Sequence, residues 1–188
     1  METISYTSIV GSLMCVQTCR RSNISFVVGM LGRYQNNRGI DQWKVAKKVL
    51  RYLKEGKDYV LMYRRSNHLE VTGYSDLDLA GCVDIRKSTF GYLFLLAEGV
   101  ISWNSAKQFF IALSTMEVEF VACYEATIHA LWLGNFISGH RVVDTITKPL
   151  KIYCDNTTSV FFSKNYKYSK GAKHMELMYY SVKEEAQK

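Results

Sequence analysis

The chain has 188 residues, 48% of them hydrophobic and 13% aromatic, enough for one compact domain or a domain with a smaller attachment and too much for wholesale disorder. Its formal charge of +7 and pI of about 9.1 suit a polyanion such as nucleic acid, or else describe a protein that is simply basic. Every apolar run is broken by Lys, Arg, Asp or Glu before it reaches spanning length, and the N-terminus lacks a basic segment ahead of an apolar one. The expectation is therefore an intracellular protein, cytoplasmic or nuclear, with no secretion signal and no membrane partner.

Residues 1 to about 65 read as helical. Apolar segments at 8–17 and 24–34 are followed by a polar break, Gln35-Asn36-Asn37-Arg38-Gly39. Asp41 reads as the N-cap of a third helix in which Trp43, Ala46, Leu50 and Leu53 recur at helical spacing. Its other face carries Lys44, Lys47, Lys48, Arg51 and Lys54, which on the helix alone reads as a solvated face. The five cysteines (Cys15, Cys19, Cys82, Cys123, Cys154) are odd in number and scattered, which points to reduced thiols. Cys15 and Cys19 share a helical turn, but no further ligands at suitable spacing complete a zinc site with them.

From about residue 69 the pattern turns to strands. Residues 69–75 alternate, and 89–96 and 99–105 are β-rich runs joined as a hairpin through Ala97-Glu98-Gly99. Ser114 with Glu117 forms a capping box opening a long helix, whose apolar content (Val118, Ala122, Ala126, Leu131, Leu133) runs to about Ile137. A short strand at 150–154 and helices at 157–163 and from about 174 complete an α/β domain with a mixed sheet. Trp103 and Trp132 read as core.

Asp76 and Asp155 each stand at the end of a strand. Alone, either is a turn former or a helix cap. Side by side they would share one sheet edge, with Glu117 or Glu119 added from a helix packed over it. Converging carboxylates cannot all stay ionised without a cation, so a hard divalent metal with oxygen ligands is the natural complement. Two such ions would activate water and stabilise a leaving oxygen in phosphodiester cleavage.

The segments Tyr74-Ser75-Asp76-Leu77-Asp78-Leu79-Ala80-Gly81-Cys82, Arg86-Lys87-Ser88-Thr89-Phe90-Gly91-Tyr92, Ile101-Ser102-Trp103-Asn104-Ser105 and Ala112-Leu113-Ser114-Thr115-Met116-Glu117-Val118-Glu119-Phe120 follow one another in the order of copia-type retrotransposon ribonucleases H. Ala130-Leu131-Trp132-Leu133, Asp155-Asn156 and Lys173-His174-Met175-Glu176 continue the match. Val10-Gly11-Ser12-Leu13-Met14, Arg33-Tyr34-Gln35 and the stretch 43–54 resemble the end of the preceding reverse transcriptase. The chain thus resembles the C-terminal end of a copia-type Pol polyprotein: a small helical reverse-transcriptase-derived segment at 1–65, then a ribonuclease H-like mixed sheet flanked by helices at 69–188.

The resemblance implies hydrolysis of the RNA strand of an RNA–DNA hybrid with two magnesium ions, manganese being a substitute. It implies no small-molecule cofactor, and the upstream reverse transcriptase as a further partner. Carried over by position, the metal-holding catalytic acids are Asp76, Glu119, Asp155 and Glu176. The family leaves Glu117 and Glu119 open for the second acid. Glu117 is occupied by the capping box, and Glu119 heads a Glu-x-x-Ala pattern with Ala122, so Glu119 is preferred; Asp78 is assigned to the turn.

Three departures stand out. The fourth acid is usually Asp and here is Glu176, one methylene longer. The stretch Cys19-Arg20-Arg21-Ser22-Asn23 replaces a proline-containing turn. Family members continue past the final helix into another strand, so the domain reads as cut before its last strand, and it begins after the polymerase site. Lys164, Lys167, Lys170 and Lys173 recur every third residue among tyrosines and suit phosphate contacts or a solvated loop. The competing reading is a noncatalytic relic that binds nucleic acid without cleaving it, or a purely structural fragment.

Overall fold

The computed structural model describes residues 5–37, 39–60, 62–63, 65, 69–78, 88–108, 115–140 and 150–155. The chain divides into two compact units, Met1–Met62 with Trp103–Ala106 and Tyr63–Ser102 with Lys107–Lys188. None of the described helices is long and apolar enough to cross a membrane.

The first unit packs three helices, α1 (Tyr6–Cys19), α2 (Ser25–Arg33) and α3 (Ile40–Glu55). Ser5 caps α1, its Oγ accepting from the Ser8 N–H at 3.1 Å. Tyr6, Val10 and Leu13 recur one helical face apart and are buried, as are Ile24, Val28 and Leu31. Ala46 and Val49 close the cluster from α3. The Tyr6 ring meets Trp43 edge-on, and its hydroxyl donates to the Leu31 carbonyl at 3.0 Å, so its polar tip is satisfied inside the core.

Two expectations about α3 need correction. Gly39, not Asp41, is its N-cap, and the Gly39 N–H donates to the Gln42 side chain at 3.0 Å. Asp41 stands in the first turn, where its charge suits the helix dipole, and forms an exposed ion pair with Lys44 at 2.9 Å. Leu50 is 41% exposed, and its neighbour Val49 faces the core instead; one position is about 100° around a helix, and the stripe set by Trp43, Ala46 and Leu53 passes through Val49. Lys44, Lys47, Lys48, Arg51 and Lys54 are all exposed.

The stretch that lacks the family's proline turn enters a 3-10 turn at Ser22–Ile24. There Arg21 donates to the carbonyls of Gly56 and Tyr59, and Asn23 donates to the Tyr52 hydroxyl. A guanidinium just past the end of α3 meets the carbonyl of its C-cap Gly56 and suits the negative end of the helix.

The strands form a four-stranded mixed sheet of order β3-β2-β1-β4, with β1 Val71–Asp78, β2 Thr89–Leu96, β3 Gly99–Lys107 and β4 Lys151–Cys154, all in the second unit except Trp103–Ala106. β1 runs antiparallel to β2 and parallel to β4. The crossover to β4 contains α4 (Thr115–Gly139), as a parallel pair requires. Asp78, expected in a turn, is the last residue of β1, opposite Thr89.

The β2–β3 turn is Ala97-Glu98, both at positive φ (48° and 65°), the geometry of a two-residue hairpin usually given to Asn and Gly. Val71, Phe94, Ala130, Leu133 and Ile137 form the core between sheet and helix. Gly73 lies opposite Phe94, and a Cβ there would stand 2.7 Å from the Phe94 ring. The missing side chain is what lets that ring lie under β1. Trp132, expected in the core, is 55% exposed, because the buried face of α4 passes through Ala130, Leu133 and Ile137. Trp103 is half-buried. The expected helices at 157–163 and from 174 lie outside the described residues.

Candidate metal centre

β1 and β4 pair in register from Thr72↔Lys151 to Ser75↔Cys154. Alternation then sorts their side chains. Val71, Gly73 and Ser75 are buried on the face that α4 covers, whereas Tyr74 and Asp76 are exposed on the other. On β4, Ile152 and Cys154 are half-buried, and Lys151 and Tyr153 are exposed. The Tyr74 and Tyr153 rings stack on that outer face with centroids 5.4 Å apart. One residue further along each strand come Asp76 and Asp155.

α4 runs opposite to β1. Its later residues Ala130, Leu133 and Ile137 lie over Val71 and Phe94, so its beginning, with Glu119 and Cys123, lies toward Ser75 and Cys154. There the ligand atoms of Glu119, Cys154 and Asp155 all fall within 4.8 Å of one another. Alternation alone would send Asp155 to the outer face. But β4 ends at Cys154, and Asp155 occupies a bend in which its carboxylate reaches the helix side. β1 continues for two residues past Asp76, which is held opposite Gly91 in the antiparallel ladder. Asp76 is exposed and is not a member of the 4.8 Å group.

Two further groups sit beside the cluster. Ser75, the ladder partner of Cys154, is 5% exposed, and its hydroxyl has no hydrogen-bond partner among the described residues. Cys123 is one helical turn from Glu119; burial, then the nearness of Cys154 and Glu119, pushes its thiol up to about 11. Two carboxylates and a thiol thus gather at a partly exposed sheet end, where a cation would offset the repulsion between the acids. Glu119 and Asp155 offer the hard oxygens that magnesium takes, so the residues present fit that ion.

Of the acids expected from sequence, the structure brings Glu119 and Asp155 together and sets Asp76 on the neighbouring strand at the same sheet end. Glu176, the side chain of Glu117, and Lys164, Lys167, Lys170 and Lys173 lie outside what is described. Sequence reading missed Cys154, Cys123 and Ser75. Cys154 directly precedes Asp155, which was the available signal; for Cys123 it was the four-residue spacing from Glu119.

No family model matches the chain. Curated relatives do. A retrovirus-related Pol polyprotein from transposon TNT 1-94 of Nicotiana tabacum is 36% identical over 184 residues, covering 98% of this chain and 14% of that polyprotein. The corresponding polyprotein from transposon RE2 of Arabidopsis thaliana is 31% identical over 182 residues, 97% of this chain and 12% of its own length. A protein of Plasmopara viticola named secreted RxLR effector protein 161 is 41% identical over 133 residues, 71% of this chain and 94% of that protein. The chain therefore spans only about one seventh of the TNT 1-94 polyprotein.

Proposed function

We propose, from the premise that the chain belongs to the copia-type, retrovirus-related Pol polyproteins of transposons, that its strand-bearing unit is a ribonuclease H-like domain. In this reading it hydrolyses the RNA strand of RNA–DNA hybrids, and the helical unit is the end of a reverse transcriptase. The observation that carries it is the meeting of the Glu119 and Asp155 carboxylates at the sheet end where β1 and β4 run parallel, with Asp76 one residue past the last paired position.

Glu119 and Asp155 would hold magnesium, or manganese in its place, with Asp76 and Glu176 completing the set. A bound ion there supplies activation of water and stabilisation of the leaving oxygen. The chain's own part is to hold the carboxylates in place. Glu119 is anchored between the buried Val118 and Phe120 of α4, and Asp155 by the ladder that precedes it. A net positive chain favours approach of the polyanionic hybrid.

A noncatalytic product is the second reading. It is favoured by the effector-named relative, nearly all of whose length matches, so that this stretch occurs there outside a polyprotein. Incubating the chain with a hybrid labelled on its RNA strand decides between the two. The ribonuclease reading expects magnesium-dependent cleavage that Asp76→Asn abolishes. Hybrid binding without cleavage at any magnesium concentration favours the noncatalytic one.

A further inference from the structure

α3 holds five cations against two acids in sixteen residues, a net +3 of the chain's formal +7. The charge is sorted by face. Ala46 and Val49 are buried in the helical core, with Trp43 and Leu53 packed against it, and the opposite side presents Lys44, Lys47, Lys48, Arg51 and Lys54. Lys44, Lys48 and Arg51 step by four and three residues, as do Lys47, Arg51 and Lys54. They form two adjoining rows that share Arg51.

A helix face that only meets water is commonly laced with acid–base pairs one turn apart. Among the described residues this face shows a single pair, Lys44 with Asp41 at 2.9 Å, and both partners are well exposed. Such a pair holds its members weakly. The acids Asp41 and Glu55 stand near the two ends of α3 and leave the stretch between them uniformly positive. Lys47 is steadied from the core side, its Nζ lying 6.0 Å from the centroid of the Trp43 ring, which meets Tyr6 edge-on.

We propose that this face of α3 docks on the phosphate backbone of a nucleic-acid duplex, reading charge and not sequence. From Lys44 to Lys54 the helix rises about 15 Å. A duplex strand advances about 3.4 Å per phosphate, so that length spans roughly four or five phosphates, which matches the cations in number. An anionic membrane is the competing polyanion. A helix that binds one lays its apolar face into it, and the apolar stripe of α3 is already occupied by the core. What remains is a set of point charges, which is what a backbone takes without regard to sequence. The docking does not depend on the ribonuclease reading, for α3 belongs to the helical unit and the contact needs no metal.

Binding of the full chain to an RNA–DNA hybrid, followed by fluorescence anisotropy in EDTA from about 50 to about 200 mM salt, tests this. Each phosphate contact contributes about 0.9 to the slope of log affinity against log salt. Lys47→Gln, Arg51→Gln and Lys54→Gln together should make the slope shallower by roughly 2.7. Glutamine keeps the helix propensity of the residues it replaces. The same charge removed from scattered positions, by Arg20→Gln, Arg65→Gln and Lys107→Gln, should change the slope by less than about 1. Asp41→Asn frees Lys44 from its ion pair and should tighten binding; it decides the matter if circular dichroism shows the triple variant unfolded. Equal slopes in the parent and the row variant, equal losses in the row and scattered variants, or no tightening in Asp41→Asn overturns the proposal. So does binding to phosphatidylserine vesicles that the row variant loses while its hybrid binding is kept. Cleavage in magnesium is read separately: a chain that docks through α3 without cutting keeps this proposal and loses the ribonuclease reading.

Discussion

β1 and β4 carry the same pattern toward their ends, a tyrosine, a small residue and an aspartate: Tyr74-Ser75-Asp76 and Tyr153-Cys154-Asp155. They lie side by side in register, so the aspartates begin from equivalent positions. Their outcomes differ. Asp155 joins Glu119 and Cys154 within 4.8 Å, and Asp76 does not. The cause is the length of the ladder. β4 stops at Cys154 and its next residue lies in a bend, whereas β1 stays paired with β2 as far as Asp78. What a strand-end carboxylate can do is therefore set by where hydrogen bonding stops as much as by the residue itself.

Removing what holds β1 down should have the largest effect on this difference. Phe94 is fully buried opposite Gly73, and Phe94→Ala should destabilise the sheet unit by about 3–5 kcal/mol in urea denaturation. A cost well under 1 kcal/mol would mean that the β1–β2 pairing does not depend on that core. Gly73→Val attacks the same junction from above. Its Cβ would meet the Phe94 ring at 2.7 Å and Ile152 of β4 at 3.3 Å. It should cost about 1–3 kcal/mol and lower cation affinity by disturbing the β1–β4 register.

Smaller effects sharpen the contrast from outside the site. Tyr6→Phe leaves the Leu31 carbonyl without its hydroxyl donor and should cost about 1 kcal/mol, with no change in cation affinity. His129 is stacked on Tyr92 and bonded to Ser102 at 2.7 Å, and burial lowers its pKa below the ordinary value of 6.5. The unfolded chain therefore takes up the proton first as pH falls. Stability should be full above pH 6.5 and decline below it until the folded histidine also titrates, with a slope of at most about 1.4 kcal/mol per pH unit. His129→Gln should flatten that decline in melts recorded from pH 7 to about pH 5.

Much of this was legible in the chain. The helices at 8–17 and 24–34, the hairpin strands, α4 and the strand before Asp155 follow from periodicity and turn residues, because local hydrophobic spacing is what the core selects. The α3 N-cap was not, since Asp41 and Gly39 both satisfy the pattern and only the Gln42 side chain chooses between them. Leu50 and Trp132 looked buried because they are apolar, while the α3 and α4 stripes turn past them. At the site, motif order and spacing named Glu119 and Asp155. Nothing in the sequence said that β1 outlasts β4, for strand length is settled by pairing with β2. The place of Cys154 among the acids likewise required the crossing of α4 over β4.

Cation binding by the chain without nucleic acid tests the comparison most directly. Manganese titrations followed by electron paramagnetic resonance, in which bound ion leaves the free-ion signal, should show Asp155→Asn weakening affinity by at least roughly tenfold and Asp76→Asn weakening it by a smaller factor. Equal losses in the two variants, or a larger loss in Asp76→Asn, would contradict the account.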